Sequence, residues 1–432
     1  MSPNENDTVS THGSVASGFE SVKQMFAKNM RTMAEAQAQL CVYHKGEKVI
    51  DLWAAPLPVE DFSADSIINV FSSGKSLETI AIAWLVGKGL LSYDATIASY
   101  WPEFAANGKS EVLVADLMRH ESGLAGFNQS LEPAWLLPEN IKQNQVGSVI
   151  EAQPQVFASS DTAAKREYHA MTRGWVANEL FRRVDPTGRT MGEFLQEEIS
   201  APLQADAVIG VPEAELGGIA KVIPMGIWAY IRSSFRPKLF GRKVVHNIFQ
   251  VIARIVRMIP VIRRGSLGGG PPPLKGMSSI GIFNEPAVEM GETPSANAHC
   301  SARGLAKIAA MMSAGGSFDG REYLSSTAWA ALHDQPIRAA MGGFLDTSFT
   351  QGGLAYFAAC GADSSAIQRD LNQGREGFYG WMGLGGSVFQ WHPELDIGLA
   401  FVPTELHEMD FLNERAKAYQ AEVLKCVQAL PG

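Results

Sequence analysis

The stretch Ser72-Ser73-Gly74-Lys75 stands just before a run of apolar residues with helical spacing, among them Leu77, Ile80 and Leu85. Residues three apart on a helix share a face, so the Lys75 amine is expected beside the Ser72 hydroxyl. A serine hydroxyl needs a nearby base to become a nucleophile, and a lysine in dry surroundings loses its proton readily enough to serve. This S-x-x-K pattern, which occurs once in the chain, predicts a nucleophilic serine with a basic partner.

The composition indicates a globular protein with a substantial core and narrows the classes of partner. Of the 432 residues, 46% are hydrophobic and 19% are charged, and the net charge is −9, which disfavours nucleic acid as a partner. The four cysteines lie far apart and form no CxxC pair, and the nine histidines show no metal-ligand spacing. We therefore expect no disulfide framework and no metal.

The sequence also carries an expectation about location. Residues 1–9 are polar and include acidic side chains, without the basic and apolar regions of a secretory signal. We found no apolar run long enough to suggest a transmembrane helix. Scattered cysteines are most simply reduced thiols, so we expect a cytoplasmic protein, while the oligomeric state stays open.

Hydrophobic periodicity predicts an α+β protein. The predicted elements are a helix over 18–37, a β-hairpin over 38–53, a helix after Ser72, a second hairpin over 386–403 and a closing helix over 410–429. Strands near both ends with helices between them suggest one antiparallel sheet covered by the terminal helices, next to a mostly helical middle region. The catalytic cleft would then lie between the two regions.

This pattern translates into domain boundaries. Residues 1–15 are predicted to be a flexible leader, 16–95 and 296–432 to form the sheet domain, and 96–295 to form the helical domain. An insertion at about 221–273, rich in basic and apolar residues, interrupts the helical domain.

Three motifs in this order carry a resemblance to a known family: Ser72-Ser73-Gly74-Lys75, Tyr168-His169-Ala170 and Trp381-Met382-Gly383. They resemble the S-x-x-K, the tyrosine motif and the W-x-G of serine hydrolases with the class C β-lactamase fold, most closely the family VIII carboxylesterases. Residues 117–124 (LMRHESGL) and the glycines that follow Trp381 also fit. The resemblance covers about residues 20–425 and implies a β-lactamase/transpeptidase-like fold.

The resemblance implies roles for individual residues. Ser72 would be the nucleophile, with Lys75 and Tyr168 as the acid/base pair, whichever of the two takes the proton. The backbone N–H groups of Ser72 and Leu384 would form the oxyanion hole. An acyl-serine intermediate would form and then be hydrolysed, with no cofactor.

The same resemblance points to an ester as substrate. Trp381, Gly383 and His169 are expected to contact substrate, and a small-molecule carboxylic ester is the expected partner. Trp381 stands where the β-lactamases carry the lysine that helps hold a substrate carboxylate, which disfavours β-lactams. Two alternatives remain open: an amidase, peptidase or weak β-lactamase of the same fold, with Arg375 as a possible anchor, and a non-catalytic scaffold or membrane-associated protein.

One segment has a composition that the catalytic motifs do not explain. Residues 221–264 contain ten of the 36 basic residues and no Asp or Glu. The remainder of the chain therefore holds 26 basic residues and all 45 acidic ones. Large apolar residues are interleaved with the cations, as in interfacial amphipathic helices. The segment is expected to be a helical lid over the cleft, a contact surface for membrane or lipid, or a protein interface.

Overall fold

The computed structural model describes residues 9–59, 61–157, 166–263, 270–342, 345–362 and 364–431, and the side chains of 257–263 are not described. The strands are β1 (Val9–Val15), β2 (Ala38–His44), β3 (Glu47–Pro56), β4 (Ile67–Asn69), β5 (Ala207–Ile209), β6 (Ile219–Ala220), β7 (Ile223–Pro224), β8 (Ala298–Cys300), β9 (Ser317–Phe318), β10 (Arg321–Glu322), β11 (Ile337–Met341), β12 (Leu345–Phe349), β13 (Tyr379–Met382), β14 (Val388–His392), β15 (Ile397–Pro403) and β16 (Glu405–Leu406).

The helices are distributed along both halves of the chain. They are α1 (Glu20–Thr32), α2 (Lys75–Gly87), α3 (Val114–Met118), α4 (Pro138–Lys142), α5 (Gln145–Ala152), α6 (Thr172–Val184), α7 (Met191–Phe194), α8 (Ala201–Leu203), α9 (Ile227–Ser234), α10 (Ile248–Arg263), α11 (Pro286–Glu289), α12 (Ala302–Ser313), α13 (Ser326–His333), α14 (Ala366–Asn372) and α15 (Glu414–Ala429).

The main sheet has six strands in the order β1-β3-β2-β15-β14-β13, and every neighbouring pair is antiparallel. Both predicted hairpins are present, as β2–β3 and β14–β15, and β15 joins them in the middle of the sheet. The prediction of an antiparallel sheet assembled from the two ends of the chain is therefore confirmed.

Strand β15 shows why the sheet is buried on both faces. Leu399 and Phe401 pack into the cluster formed with α1 and α15, whereas Ala400 and Val402 pack into the cluster that includes α12. Successive side chains of a strand point to opposite faces, so a wholly apolar strand needs a layer on each side. At Gly398 a Cβ atom would come 2.4 Å from the backbone N of Ala310, so glycine lets α12 approach closely.

The prediction of a flexible leader over 1–15 is wrong for residues 9–15. These form β1, which pairs with β3 from Val9–Pro56 to Val15–Ile50 and gives the sheet its outer strand. Polar side chains are compatible with an edge strand, because one face and one edge remain near solvent. The first eight residues of the predicted leader lie outside the described part of the chain.

The middle of the chain is helical up to α8, as predicted, and is then joined to the sheet part by a small second sheet. Its order is β5-β8-β4-β6, so β4, which directly precedes the S-x-x-K motif, is held between β8 and β6. This small sheet therefore fixes the position at which the chain enters the turn that carries Ser72. Within the described residues, no helix is long and apolar enough to cross a bilayer.

Candidate active site

Ser72 sits on a tight turn between a strand and a helix. Phe71 has a positive φ of 47°, and its N–H donates to the Asn69 Oδ1 at 2.7 Å. A left-handed conformation is unfavourable for an aromatic residue, and such strain is typical of functional sites. A single 3₁₀ turn over Phe71–Gly74 follows, and α2 starts at Lys75, so Ser72 lies in the turn that precedes the helix.

Lys75 lies behind Ser72, as the S-x-x-K spacing predicts. Its Nζ is 3.4 Å from the Ser72 Oγ and donates to the carbonyl oxygens of Ala170 at 2.7 Å and Ser295 at 2.9 Å. The side chain is 2% exposed. Burial, together with the nearby Arg173 guanidinium, holds the pKa of Lys75 well below its usual range, although Glu78 opposes this. A lowered pKa increases the fraction of neutral amine at neutral pH, which a base requires.

A buried ion pair that the sequence patterns did not predict lies next to Lys75. Arg173 Nε donates to Glu78 Oε1 at 2.7 Å, and both side chains are fully buried. Ser295 Oγ donates to the other Glu78 oxygen at 2.6 Å, and Arg173 Nη2 donates to the Lys75 carbonyl at 3.1 Å. The only sequence signal is position, because Glu78 lies one helical turn after Lys75, and Arg173 falls in the first turn of the helix that follows Tyr168.

Tyr168 lies close to both Ser72 and Lys75. Its phenolic oxygen accepts a hydrogen bond from Trp381 Nε1 at 3.0 Å, and its ring centre lies 4.9 Å from the Lys75 Nζ. Desolvation raises the pKa of Tyr168, while hydrogen bonds with Ser72 and Trp381 act in the opposite direction. The phenol therefore keeps its proton at neutral pH and is placed to give it to an oxygen near Ser72.

The backbone turn at Leu384 is held in place by Asn413. Leu384 begins a tight turn after β13, and Asn413 Nδ2 holds this turn by donating to the carbonyls of Gly383 at 2.9 Å and Ser387 at 2.8 Å. Neither the Ser72 nor the Leu384 backbone N–H bonds to any other residue that the structure describes. Both N–H groups are therefore without a partner among the described residues, and a tetrahedral oxyanion requires two such donors.

A cavity of about 200 Å³ opens over Ser72. Apolar side chains make up much of its wall, and two residues with carboxylate side chains, Glu408 and Asp410, also line it. Burial raises the pKa of Glu408. No Lys or Arg among the described residues lines this cavity. Five residues of the predicted site do line it: Ser72, Tyr168, Trp381, Gly383 and Leu384.

The prediction that His169 contacts substrate is wrong. Its side chain is fully buried, and its Nδ1 donates to the Glu167 carbonyl at 2.6 Å. Its Nε2 accepts the Leu124 N–H at 3.2 Å and lies 2.8 Å from the Ser122 Oγ. Burial lowers the pKa of His169 to about 3, so the ring is neutral. The histidine fastens the Tyr168 loop to the segment 117–124 and does not reach the cavity.

Arg375 does not reach the cavity either. It is fully buried, and its Nη2 donates to the Leu412 carbonyl at 2.8 Å. Burial lowers its pKa to about 10. Arg375 thus supports the chain that carries Asn413 and offers no charge to a ligand over Ser72. Across the residues described, no group of three or more His, Cys, Asp or Glu could hold a metal ion.

Several known proteins are similar to this chain over most of its length. Esterase/beta-lactamase LipL of Mycobacterium tuberculosis is 29% identical over 315 residues, which is 71% of this chain but only 65% of LipL, less than two thirds of that protein. A family VIII carboxylesterase superposes with a TM-score of 0.72 at 23% identity, covering 96% of this chain and 100% of the other. A penicillin-binding protein homologue from Caulobacter crescentus gives 0.71 at 24% identity, with coverage of 96% and 100%.

These two structural matches show the fold, so the predicted β-lactamase/transpeptidase-like architecture is confirmed. The family model described as Beta-lactamase matches residues 22–423, which include all three motifs. With a match that spans nearly its whole length, this chain belongs to the beta-lactamase family.

Proposed function

We propose that this protein is a serine hydrolase that cleaves carboxylic esters through an acyl-Ser72 intermediate. One observation carries the proposal: a serine at the floor of a largely apolar cavity lies 3.4 Å from the amine of a buried lysine whose pKa is lowered. A lysine buried for structural reasons alone would not need a hydroxyl that opens to a cavity as its neighbour. LipL, an esterase/beta-lactamase by name, supports the same reaction class.

Acylation would begin at the Ser72 hydroxyl. Neutral Lys75 takes the hydroxyl proton as the Ser72 Oγ forms a bond to the ester carbonyl carbon. The carbonyl oxygen becomes an oxyanion, which the N–H groups of Ser72 and Leu384 stabilise. The carbon–oxygen bond to the alcohol then breaks, and Tyr168 gives its proton to the departing alkoxide. Lys75 restores the Tyr168 proton, so both side chains return to their starting state.

Deacylation repeats these steps with water. A water molecule gives a proton to the basic pair while its oxygen bonds to the acyl carbon, and the same two N–H groups hold the second oxyanion. The bond to the Ser72 Oγ breaks, the proton returns to that oxygen, and the carboxylic acid leaves. The net reaction consumes one ester and one water and yields one acid and one alcohol.

The charges around the cavity favour a neutral ester over a β-lactam or a peptide with a free carboxylate. An anionic substrate would meet Glu408 and Asp410 and no described cation on the cavity wall. Trp381 occupies the position of the carboxylate-binding lysine of the β-lactamases, and the alternative anchor, Arg375, is buried elsewhere. The amidase and β-lactamase alternatives therefore lack an anchor.

The test is hydrolysis of p-nitrophenyl acetate, butyrate, octanoate and dodecanoate, and of the anionic β-lactam nitrocefin, by wild type, Ser72→Ala and Ser73→Ala. We expect ester cleavage to exceed nitrocefin cleavage and Ser72→Ala to lower kcat by at least about 10³-fold. Ser73 belongs to the same motif, but its Oγ bonds to Ser387 Oγ at 3.1 Å and does not line the cavity. Ser73→Ala should therefore keep most of the activity.

Two results would overturn the proposal. A folded wild type that cleaves none of the esters would favour the scaffold alternative. Nitrocefin cleavage faster than ester cleavage would favour a β-lactamase.

A further inference from the structure

The segment 221–264, here called the basic segment, packs beside the cavity but does not line it. Its strand β7 pairs in parallel with β16. Tyr230, Val244 and Val251 form a small core with Met409, against which Phe411 also packs. Phe411 lines the cavity over Ser72, and no residue described between 221 and 263 does. The lid prediction is therefore wrong for the described residues, and the basic segment adjoins the rim of the cavity.

The outer face of the basic segment is apolar and uncovered. Ten of the thirteen large apolar side chains found exposed among the described residues belong to it. Trp228 on α9 is 83% exposed, Leu239 in the following turn 94% and Phe249 on α10 79%. On α10, Phe249, Ile252 and Val256 recur at spacings of three and four and so share one face of the helix.

The inner face of α10 is the one that holds the helix on the protein. Val251 is buried in the small core, and Arg254 forms an ion pair with Glu414 at the start of α15. The exposed apolar side chains are therefore not needed to attach α10 to the body. Exposed apolar patches of this size on a soluble protein mark a surface that something else covers.

Cations stand next to this apolar face. A cleft of about 900 Å³ lies between α1 and the basic segment, lined by Arg236, Lys238 and Arg242 and by the apolar Leu239 and Phe240. The three cations form no ion pair with a described residue, and the Arg242 Nε is buried without a hydrogen-bond partner. From α1, Lys28 and Arg31 line the same cleft. Its single carboxylate, Glu414, already pairs with Arg254.

We propose that the basic segment is a docking surface for an anionic lipid bilayer. Arg236, Lys238 and Arg242 would bind the lipid phosphates, and the exposed rings of Trp228, Phe240 and Phe249 would enter the boundary between headgroups and acyl chains. The charge distribution favours this occupant. The remainder of the chain carries a net negative charge, so an anionic bilayer attracts the protein most strongly at the cleft formed by this segment and the neighbouring cations of α1. A nucleic acid would use the cations and leave the apolar side chains unexplained.

Bilayer docking would bring the rim of the cavity toward the lipid, because Phe411 belongs to both the cavity wall and the support of the basic segment. An ester dissolved in a membrane would then have a short path to Ser72. The docking itself does not depend on catalysis and is tested without it.

The experiment is co-sedimentation of the full chain with vesicles of phosphatidylcholine alone and of phosphatidylcholine mixed with phosphatidylglycerol. We expect binding to the mixed vesicles only. The double variant Trp228→Ser/Phe249→Ser should weaken it by about tenfold or more, through loss of apolar burial. Arg236→Gln and Lys238→Gln should each weaken it about fivefold. Val156→Ser is the matched control, since Val156 is equally exposed at 74% but lies outside the segment.

Circular dichroism and thermal unfolding establish that each variant is folded. If the apolar double variant does not fold, vesicle binding by Arg236→Gln and Lys238→Gln tests the proposal by itself. Absence of binding to the mixed vesicles, or equal binding to both kinds of vesicle, would overturn the proposal. So would a homodimer in sedimentation velocity that Trp228→Ser/Phe249→Ser dissociates, because a second copy would then be what covers the face.

Discussion

The indole Nε1 of Trp381 donates a hydrogen bond to the phenolic oxygen of Tyr168 at 3.0 Å. With one lone pair occupied by the indole, the Tyr168 oxygen has its own proton free for an oxygen near Ser72. Trp381 is itself fixed, because its backbone N–H donates to the Ser76 Oγ at 3.1 Å. Trp381 therefore orients Tyr168, the proposed proton donor.

Trp381→Phe tests this relationship. The variant keeps an aromatic ring in the cavity wall and removes the N–H donor, so we expect kcat for a p-nitrophenyl ester to fall about three- to tenfold, the usual worth of one hydrogen bond. Trp84→Phe, a tryptophan on α2 that packs on Phe194 away from the cavity, should leave kcat unchanged. Equal rates for Trp381→Phe and wild type would show that the hydrogen bond does not matter.

Local sequence signals account for much of the fold. The two hairpins were predictable because each alternates short apolar runs with a turn, and the relation of Ser72 to Lys75 follows from helical spacing. The grouping of these residues with Tyr168 and Leu384 was predicted only from the resemblance to family motifs. Spacing alone does not bring together residues so far apart in the chain.

The buried pair Arg173–Glu78 could not be predicted in this way. The two residues lie 95 positions apart, and each looks like an ordinary solvated charge at the start of a helix. The error at His169 has a similar origin. Adjacent residues of an extended loop point in different directions, so Tyr168 faces Ser72 while His169 turns into the core.

The lowered pKa of Lys75 predicts the pH dependence of ester cleavage. The base must be neutral, so kcat/KM should fall as pH drops through the pKa of Lys75 in the folded protein, well below the ordinary value for lysine. Glu78 raises that pKa, so Glu78→Gln should move the acid limb to lower pH. A pH–rate profile with a neutral ester measures both.

The control for this profile is Lys75→Arg, which keeps the positive charge but cannot lose its proton, and which should be inactive at every pH. An acid limb at the position of an ordinary lysine, or one that Glu78→Gln leaves in place, would contradict the role of Lys75 as base.

Arg173→Met should destabilise the fold far more than loss of a surface pair. It leaves the Glu78 carboxylate buried without its partner, which typically costs about 3–5 kcal/mol in the free energy of unfolding. The matched control is Arg338→Met, which breaks the 2.7 Å pair with Asp346 on a half-exposed hairpin and should cost about 1 kcal/mol or less. Urea denaturation measures both, and equal costs would refute the structural role of the buried pair.

Gly383→Ala should disrupt the proposed oxyanion hole. A Cβ atom at this position would come 2.1 Å from the Ser387 Oγ and 2.2 Å from the Val70 carbonyl oxygen, so β13 and the turn at Leu384 would have to move. We expect kcat to fall by about 10²-fold or more. Gly361→Ala, where a Cβ meets nothing within 4 Å, should retain full activity. A Gly383→Ala variant with wild-type kcat would show that this turn does not position an essential donor.

Glu408→Gln should relax the discrimination against anionic esters. Asp410 accepts the backbone N–H groups of Glu414 and Arg415 at the start of α15, which compensates its charge, so Glu408 is the carboxylate left to repel a substrate anion. We expect kcat/KM for p-nitrophenyl hemisuccinate, relative to the butyrate, to rise about fivefold or more. Because burial raises the pKa of Glu408, the effect should be largest above that pKa, where the wild-type carboxylate is ionised, and should vanish below it. Glu408→Asp, which keeps the charge, should retain the wild-type preference. If Glu408→Gln changes both rates equally, the carboxylate contributes shape to the cavity wall and no electrostatic selection.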